Sequence, residues 1–293
     1  MIRESAFAKI NLFLEITGKR PDGYHDLVTV MQTVTLADTL TFERSEVPGV
    51  RLTADGIGRG ADNLVCRAAK AFFDAAGVAF GVDITLEKNI PIAAGLGGGS
   101  ADAAATLRAL NRLSEKKLPL AALSAAALSV GADVPFLLSG GLAVCRGVGE
   151  QITPVFHTVS GVIVIAIGKD GMSTPAAFAE TDRLYGNFQS PVLHPAAHEP
   201  ERVFDAKILT AEAVFNRFES AVFPLRPEAA CLKRQLLDLG ARTAQMSGSG
   251  PSVFGIFDDP ALAGAAAEKL KTDGVRAFLC RATDRIVIEG EEL

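Results

Sequence analysis

The spacing of apolar and polar positions changes several times along the chain, and each change marks an element. From Ala6 to Ile16, AFAKINLFLEI mixes alternation with a nearly continuous apolar run, the pattern of an inward-facing strand. GKRPDGYHDL then carries Gly18, Pro21 and Gly23 and reads as a loop, after which VTVMQTVTLADTLTFER resumes strand character with Thr and Val enriched. This opening stretch is expected to form a β-hairpin or meander. DNLVCRAAKAFFDAAG, from Asp62, has helical apolar spacing, an Asp cap candidate and a closing Gly77, so a helix is predicted. VDITLEKNIP, from Val82, is a strand that ends against a proline. Further helices are predicted from about Ser100 to Leu113 and from about Pro119 to Ser129.

Near Pro154 the pattern turns to SGVIVIAIG, a buried strand, and the domain boundary is placed there, dividing residues 1–154 from residues 155–293. The remainder reads as strand, helices, two strands, helix and strand. ARTAQMSGSGPSVFGIF gives two strand-like runs joined by a Gly/Ser turn, ALAGAAAEKLKTDG a helix and VRAFLCRAT the last strand. Strands and helices mix without a strict βαβα repeat, which favours an α+β protein in two lobes over a doubly wound sheet.

Composition narrows the class. With 293 residues, 48% apolar and 22% charged, the chain is long enough to bury a real core. A net charge of -5 argues against an electrostatic nucleic-acid surface, so any nucleotide is expected as a small molecule. Cys66, Cys145, Cys231 and Cys280 lie far apart without a C-x-x-C pair and signal neither a disulfide framework nor a zinc site. Glu4, Lys9 and Glu15 interrupt the apolar N-terminus, which lacks a secretory h-region, and a cytoplasmic protein is expected. The low-charge stretch from Ala121 contains Gly131, Asp133, Pro135 and the Gly140-Gly141 pair, so it reads as a buried helix and turn and no membrane span is expected.

Four glycines in PIAAGLGGGS, from Pro91 to Ser100, stand between a predicted strand and a predicted helix. Such a connection lets backbone N–H groups converge on one point beside the helix's positive end, and phosphate is the natural guest. Neither Walker A nor the dinucleotide fingerprint fits, because no lysine follows the loop and Ser100 stands where a third small residue belongs. A glycine-lined bend for tight packing is the plain alternative. Ser100 serves equally as a helix cap or as a hydroxyl for a phosphate or a magnesium ion. Lys9, inside an apolar strand, is either a paired structural cation or a placed functional one. Asp133, before a proline, is either a turn cap or its acidic counterpart. Ser247-Gly248-Ser249-Gly250-Pro251-Ser252 is either an ordinary turn or a second backbone clamp.

AKINLFLEITGKRPDGYHDL, PIAAGLGGGSADAAATLRALN with GADVPFLLSGG, and MSGSGPSVFGIF, in this order over nearly the whole chain, resemble the GHMP kinase superfamily. GKRPDGYHDL points within it to members that act on a cytidine-diphosphate sugar alcohol. The resemblance implies a two-lobed α+β fold, an N-terminal ATP-loop domain and a C-terminal ferredoxin-like domain with the substrate between them. It implies an ATP-dependent kinase of the non-mevalonate isoprenoid route, using Mg2+, that phosphorylates the 2-hydroxyl of this small molecule, as a monomer or homodimer. By the same resemblance Asp133 takes the hydroxyl proton and Lys9 stands beside it. Pro91, Ala94, Gly95, Leu96, Gly97, Gly98, Gly99 and Ser100 form the phosphate loop, with Ser100 the one metal candidate. Asn63, Leu64 and Lys88 fall at the adenine and ribose pocket, although Asn63 also reads as a helix-start residue and Lys88 as a solvated strand end. Asn11 and His25 contact the substrate, Tyr24 and Phe178 sandwich the cytosine, and Thr174, Ser247 and Gly248 line the substrate side; His25 as a loop residue and Phe178 as core are the plain readings.

Two positions depart from the family pattern: Ala93 stands where glycine is frequent and Ala101 where a second serine is usual. Asp102, beside a triphosphate, is expected to point away or be neutralised. The rivals are another member of homoserine or mevalonate type and a nucleotide-binding sensor without phosphoryl transfer; both Lys9 and Asp133 oppose the sensor.

Overall fold

In the computed structural model, which describes residues 1–56, 58, 60–170, 172–188, 192–204, 209, 211–284 and 286, the opening pattern forms a long antiparallel hairpin. Strand β1 (Ile2–Lys19) pairs with β2 (His25–Ser45), closed by a turn in which Gly23 N–H donates to Arg20 O. Four more strands of the first half, β3 (Gly49–Ala54), β4 (Gly81–Glu87), β5 (Leu142–Gly147) and β6 (Gln151–Val155), extend this sheet. β2 is long enough to serve two neighbours on one edge: Thr39 to Ser45 pair with β4, and Leu27 to Gln32 pair with β5. The spatial order is β3-β4-β2-β1-β8, with β5 against β2 and β6 against β5.

Helices α1 (Leu64–Ala76), α2 (Gly98–Leu113), α3 (Leu120–Val130) and α4 (Val134–Ser139) pack together, and α2 also packs on β1 and β2. Ala101, Ala103, Ala104, Ala105 and Ala109 of α2 are buried, and such small side chains let the helix sit close to its neighbours. The cap of α1 is Asn63 rather than Asp62: Asn63 has the extended backbone of a cap, and its side chain accepts from Val65 N–H at 2.9 Å.

The second sheet is built from β7 (Val162–Ile167), β9 (Thr243–Met246), β10 (Ser252–Phe257) and β11 (Arg276–Cys280). Between β7 and β9 come α5 (Thr174–Tyr185), α6 (Pro200–Phe204), β8 (Phe215–Asn216), α7 (Glu219–Leu225) and α8 (Pro227–Asp238), and α9 (Pro260–Thr272) links β10 to β11. The antiparallel order β11-β7-β10-β9, with α8 and α9 on the sheet, is ferredoxin-like. β7 is apolar throughout because both of its faces are covered. Ile163, Ile165 and Ile167 join the core shared with the first sheet, whereas Val162, Val164 and Ala166 face the second sheet's own helices. Each such buried Val or Ile side chain contributes about 1.5–3 kcal/mol.

Pro154 lies within β6, paired with Ala143, and the chain crosses between the sheets at residues 156–161. The two-residue β8 returns from the second half to pair in parallel with Phe13 and Leu14 of β1. It is too short to carry a period of its own.

Candidate active site

The glycine-rich connection between β4 and α2 is held from three directions. Asp38 Oδ1 accepts from Asn89 N–H at 2.6 Å and Ile90 N–H at 2.8 Å, fixing the entry. Lys9 N–H donates to Leu96 O at 3.0 Å. The Ser247 hydroxyl donates to Gly95 O at 3.0 Å, and Ser252 N–H donates to Ala94 O at 3.3 Å. The Gly/Ser turn between β9 and β10 is thus a clamp on the loop itself. Gly95 has φ 77°, and an added Cβ would stand 2.3 Å from Ser247 O, so only glycine fits. α2 starts from Gly97 with no side-chain cap, and Ala101 N–H to Gly97 O, at 2.8 Å, is its first helical bond. The N–H groups of Gly98, Gly99 and Ser100 are therefore presented at the positive end of a 16-residue helix, as an anion cradle requires.

Lys9 lies beside this cradle. Its aliphatic stem runs under Gly97, where an added Cβ would meet Lys9 Cγ at 3.0 Å. The register of β1 against β2 shifts between Phe7 and Lys9 and again between Asn11 and Phe13, so irregularities flank the Lys9–Asn11 segment, as often happens where a side chain is aimed at a site. Lys9 Nζ donates to Asn11 Oδ1 at 2.6 Å and faces Asp133 Oδ2 at 3.7 Å. Asn11 is oriented by a chain of bonds: its Nδ2 donates to Thr29 Oγ1 at 2.9 Å, and that hydroxyl donates to Phe13 O at 2.7 Å. The buried Lys9 charge is thereby satisfied. Asp133 stands at the N-cap position of α4 in αR conformation without a cap bond, so the turn-cap reading fails and its carboxylate is left to the cleft. Gly248, with φ 56°, completes this corner; an added Cβ would come within 3.5 Å of Lys9 Nζ.

On the other side of α2, Lys88 pairs with Asp38 and, at 2.8 Å, with Asp102 Oδ2. Lys88 is mostly buried, which removes the solvated strand end as its explanation. Asp102 lines the cleft and is neutralised as expected, yet its Oδ1 is buried and has no partner among the described residues. Burial pushes its carboxyl up to about 8, against the pull of Lys88 and with the help of the Asp38 charge. Lys88 is raised: burial alone would lower it, and Asp102 and Asp38 outweigh burial.

At the far end, β2 opens with His25, which is buried rather than a loop side chain. Its ring stacks on Phe178 of α5, with centroids 4.5 Å apart and planes 13° apart, while Phe218 meets Phe178 edge-on. Phe178 both packs against the second core and lines the cleft, so a place in the core does not remove it from the cleft. Tyr24 is 66% exposed at the rim. Thr174, the first residue of α5, shares a hydroxyl contact of 3.1 Å with Ser249.

One cleft of about 940 Å³ joins these parts. Lys9, Asp133, Asn11, Tyr24, His25, Thr174, Phe178, Gly248, Asn63, Leu64, Lys88, Pro91, Ala94, Gly95, Leu96, Gly97, Gly98, Gly99 and Ser100 all line it. Ser247 does not: fully buried, with its hydroxyl donating to Gly95 O and accepting from Asn11 N–H at 3.3 Å, it braces the cradle from behind instead of facing a substrate. The Ser100 hydroxyl lies near Gly131, in the turn that carries Asp133: an added Cβ there would be 4.0 Å from it. Among the described residues no group of three His, Cys, Asp or Glu side chains could hold a metal ion.

Sequence reading missed Asp38, Lys19, Asp182 and Asn216. Asn216 donates to both Met246 O and Gly248 O at 2.8 Å and so holds the Gly/Ser turn. Thr174, Phe178 and Asp182 share one face of α5 at spacings of four, a signal readable only once that helix is assigned.

The chain matches the GHMP kinases N terminal domain over residues 63–141 and the GHMP kinases C terminal domain over residues 206–276. A 4-diphosphocytidyl-2-C-methyl-D-erythritol kinase of Chlorobium chlorochromatii (strain CaD3) is 39% identical over 270 residues, 92% of this chain and 93% of that protein. One of Prosthecochloris aestuarii (strain DSM 271 / SK 413) is 42% identical over 272 residues, with the same shares. A crystal structure of 4-(cytidine 5'-diphospho)-2C-methyl-D-erythritol kinase superposes with a TM-score of 0.78 at 34% identity, over 96% of this chain and 99% of that one.

Proposed function

The chain belongs to the GHMP kinase family, and from that premise we propose that it transfers the γ-phosphoryl group of ATP to the 2-hydroxyl of 4-diphosphocytidyl-2-C-methyl-D-erythritol, a step of isoprenoid precursor synthesis. The observation that carries this reading is the Lys9–Asp133 pair at the mouth of an uncapped glycine cradle, in a cleft that continues to the His25–Phe178 stack.

Asp133, exposed to the cleft, accepts the proton of the attacking hydroxyl, and Lys9 stabilises the oxygen anion as it forms. The N–H groups of Gly98, Gly99 and Ser100 hold the β- and γ-phosphates in line, with electrostatic stabilisation of the transferring group as the main contribution. Bound with the nucleotide, Mg2+ would supply neutralisation of phosphate charge, and Ser100, at the start of α2, is the side chain that would contact it. Asn63 and Leu64, at the start of α1, and Lys88 flank the nucleotide. At the other end Tyr24 and Phe178 bracket the cytosine, with Asn11, His25, Thr174 and Gly248 around the substrate. The functional division runs between residues 1–154, bearing the cradle, and 155–293, bearing the α5 wall, with its boundary at the end of β6, just before the crossing at residues 156–161.

The test is incubation of the purified chain with MgATP and, separately, the cytidyl substrate, homoserine and mevalonate, with product followed by 31P NMR. A new phosphomonoester resonance is expected with the cytidyl substrate alone. Turnover of homoserine or mevalonate without it would overturn the assignment.

A further inference from the structure

Asp182 on α5 lies at the centre of a contact that none of the site roles above uses. Its Oδ1 is 2.7 Å from His25 Nε2, and its Oδ2 is 2.5 Å from Lys19 Nζ. Both partners come from the ends of the β1–β2 hairpin, so the contact ties the hairpin to the α5 wall across the base-binding end of the cleft. The His25 ring is fixed on three further sides: its face by Phe178, its edge by Phe188 at 6.1 Å, and its backbone by pairing with Lys19.

We propose that Asp182, held as a carboxylate by Lys19, is the positioning residue that sets the tautomer of His25 and with it the choice of cytosine over uracil. The inference rests on the functional reading above. A carboxylate only accepts, so a 2.7 Å contact requires the proton to sit on His25 Nε2. The paired ammonium keeps Asp182 in that form; burial would raise its carboxyl, and the hydrogen bonds from Lys19 and His25 hold it below the usual range. In the neutral ring Nδ1 is then a lone pair. Nδ1 makes no hydrogen bond among the described residues, and the ring lines the cleft. A lone pair there accepts from the exocyclic amine of cytosine and repels the keto oxygen that uracil presents at the same position. Lys19 and Asp182 are the charged side chains that contact this arrangement, and both line the same cleft.

The chain has four histidines, few enough to assign individually by 15N NMR. In the unsubstituted protein His25 is expected as a single Nε2–H tautomer; an Nδ1–H ring would overturn the proposal without any variant. Asp182→Asn is expected to mix the tautomers and to raise KM for the cytidyl substrate about tenfold, the value of roughly one hydrogen bond. In that variant kcat and the KM for ATP should hold within about twofold, and preference over the uridyl analogue should fall by about the same tenfold. Asp182→Glu, which keeps the carboxylate, should restore part of both. If the unsubstituted protein turns over the cytidyl substrate but Asp182→Asn leaves KM and base preference unchanged, this inference fails alone. Failure of the unsubstituted protein to turn over that substrate removes the functional reading instead.

Discussion

Lys9 Nζ and Asp133 Oδ2 stand 3.7 Å apart, near enough for charge to act across the gap but beyond hydrogen-bond reach. The spacing has a cause: the ammonium is drawn to Asn11 Oδ1 at 2.6 Å, and Asn11 is itself fixed through Thr29. The carboxylate therefore faces a cation while its lone pairs remain available to a substrate hydroxyl. Asp133→Asn is expected to lower kcat by about 10²–10⁴-fold, the range for loss of a positioned base. KM values for both substrates should change little, since the amide keeps the shape. Steady-state kinetics with calorimetric binding checks this, and an unaltered kcat excludes Asp133 as the base.

Tyr24, at the rim, and the Lys9–Asp133 pair, beside the cradle, occupy different parts of the cleft, so their substitutions should separate. Tyr24→Ala removes a ring that is 66% exposed at the rim and carries no hydroxyl bond among the described residues. Stacking on a base acts equally in ground and transition states, so its loss raises KM for the cytidyl substrate and leaves kcat in place. A rise of about fivefold to 150-fold is expected from the roughly 1–3 kcal/mol of one base–aromatic stack. An effect confined to kcat would contradict this role.

Why Lys9, Asp133 and the glycine loop stood out in the sequence while Asp182, Lys19 and Asp38 did not follows from the kind of signal each leaves. Lys9 and Asp133 interrupt apolar runs, where a charge is conspicuous, and glycines at Gly95, Gly97 and Gly98 mark bare backbone directly. β7 announced itself because both of its faces are buried. Asp182 and Lys19, by contrast, lie in polar surroundings, and their meaning arises only when the hairpin end meets α5. Asp38 looks like any charged residue of a strand until its Oδ1 is seen to hold the backbone of Asn89 and Ile90. Ser247 was readable as part of a functional turn, but its side, behind the loop and not in the cleft, depends on tertiary packing that no local pattern encodes.

Asp102 should make stability depend on pH with a definite sign. An unfolded aspartate titrates near 3.9. The buried one is pushed up to about 8. Between those values the folded chain holds more protons than the unfolded one, so this group's contribution to stability falls as pH rises from about 4 to about 8 and then levels off. Asp102→Asn does not titrate and still leaves Lys88 paired with Asp38. The unfolding free energy of the variant minus that of the parent is expected to widen across that window, by at most about 1.4 kcal/mol per pH unit for one whole proton. Urea unfolding at pH 5, 6.5, 8 and 9 measures it, and a constant difference would refute the assignment.

Ala93 and Gly95, two residues apart in the cradle, should respond to substitution with opposite signs. Ala93 has φ 54°, a left-handed conformation that disfavours an L side chain by roughly 1–2 kcal/mol. Ala93→Gly releases that strain and loses about 0.5–1 kcal/mol through the greater freedom of glycine in the unfolded chain, so a net gain of up to about 1.5 kcal/mol is expected. Gly95→Ala meets both the wrong φ, 77°, and Ser247 O at 2.3 Å from the new Cβ, a backbone atom that cannot step aside alone. The loop and the Gly/Ser turn must then separate, and with them the bond from Ser247 to Gly95 O. A loss of more than about 2 kcal/mol is expected, together with weaker ATP binding. Thermal unfolding with and without MgATP distinguishes the two: Ala93→Gly should raise Tm and keep the ligand-induced shift, whereas Gly95→Ala should lower Tm and shrink that shift. A Gly95→Ala variant with unchanged Tm and unchanged ATP response would mean that the cradle is not braced by the turn behind it.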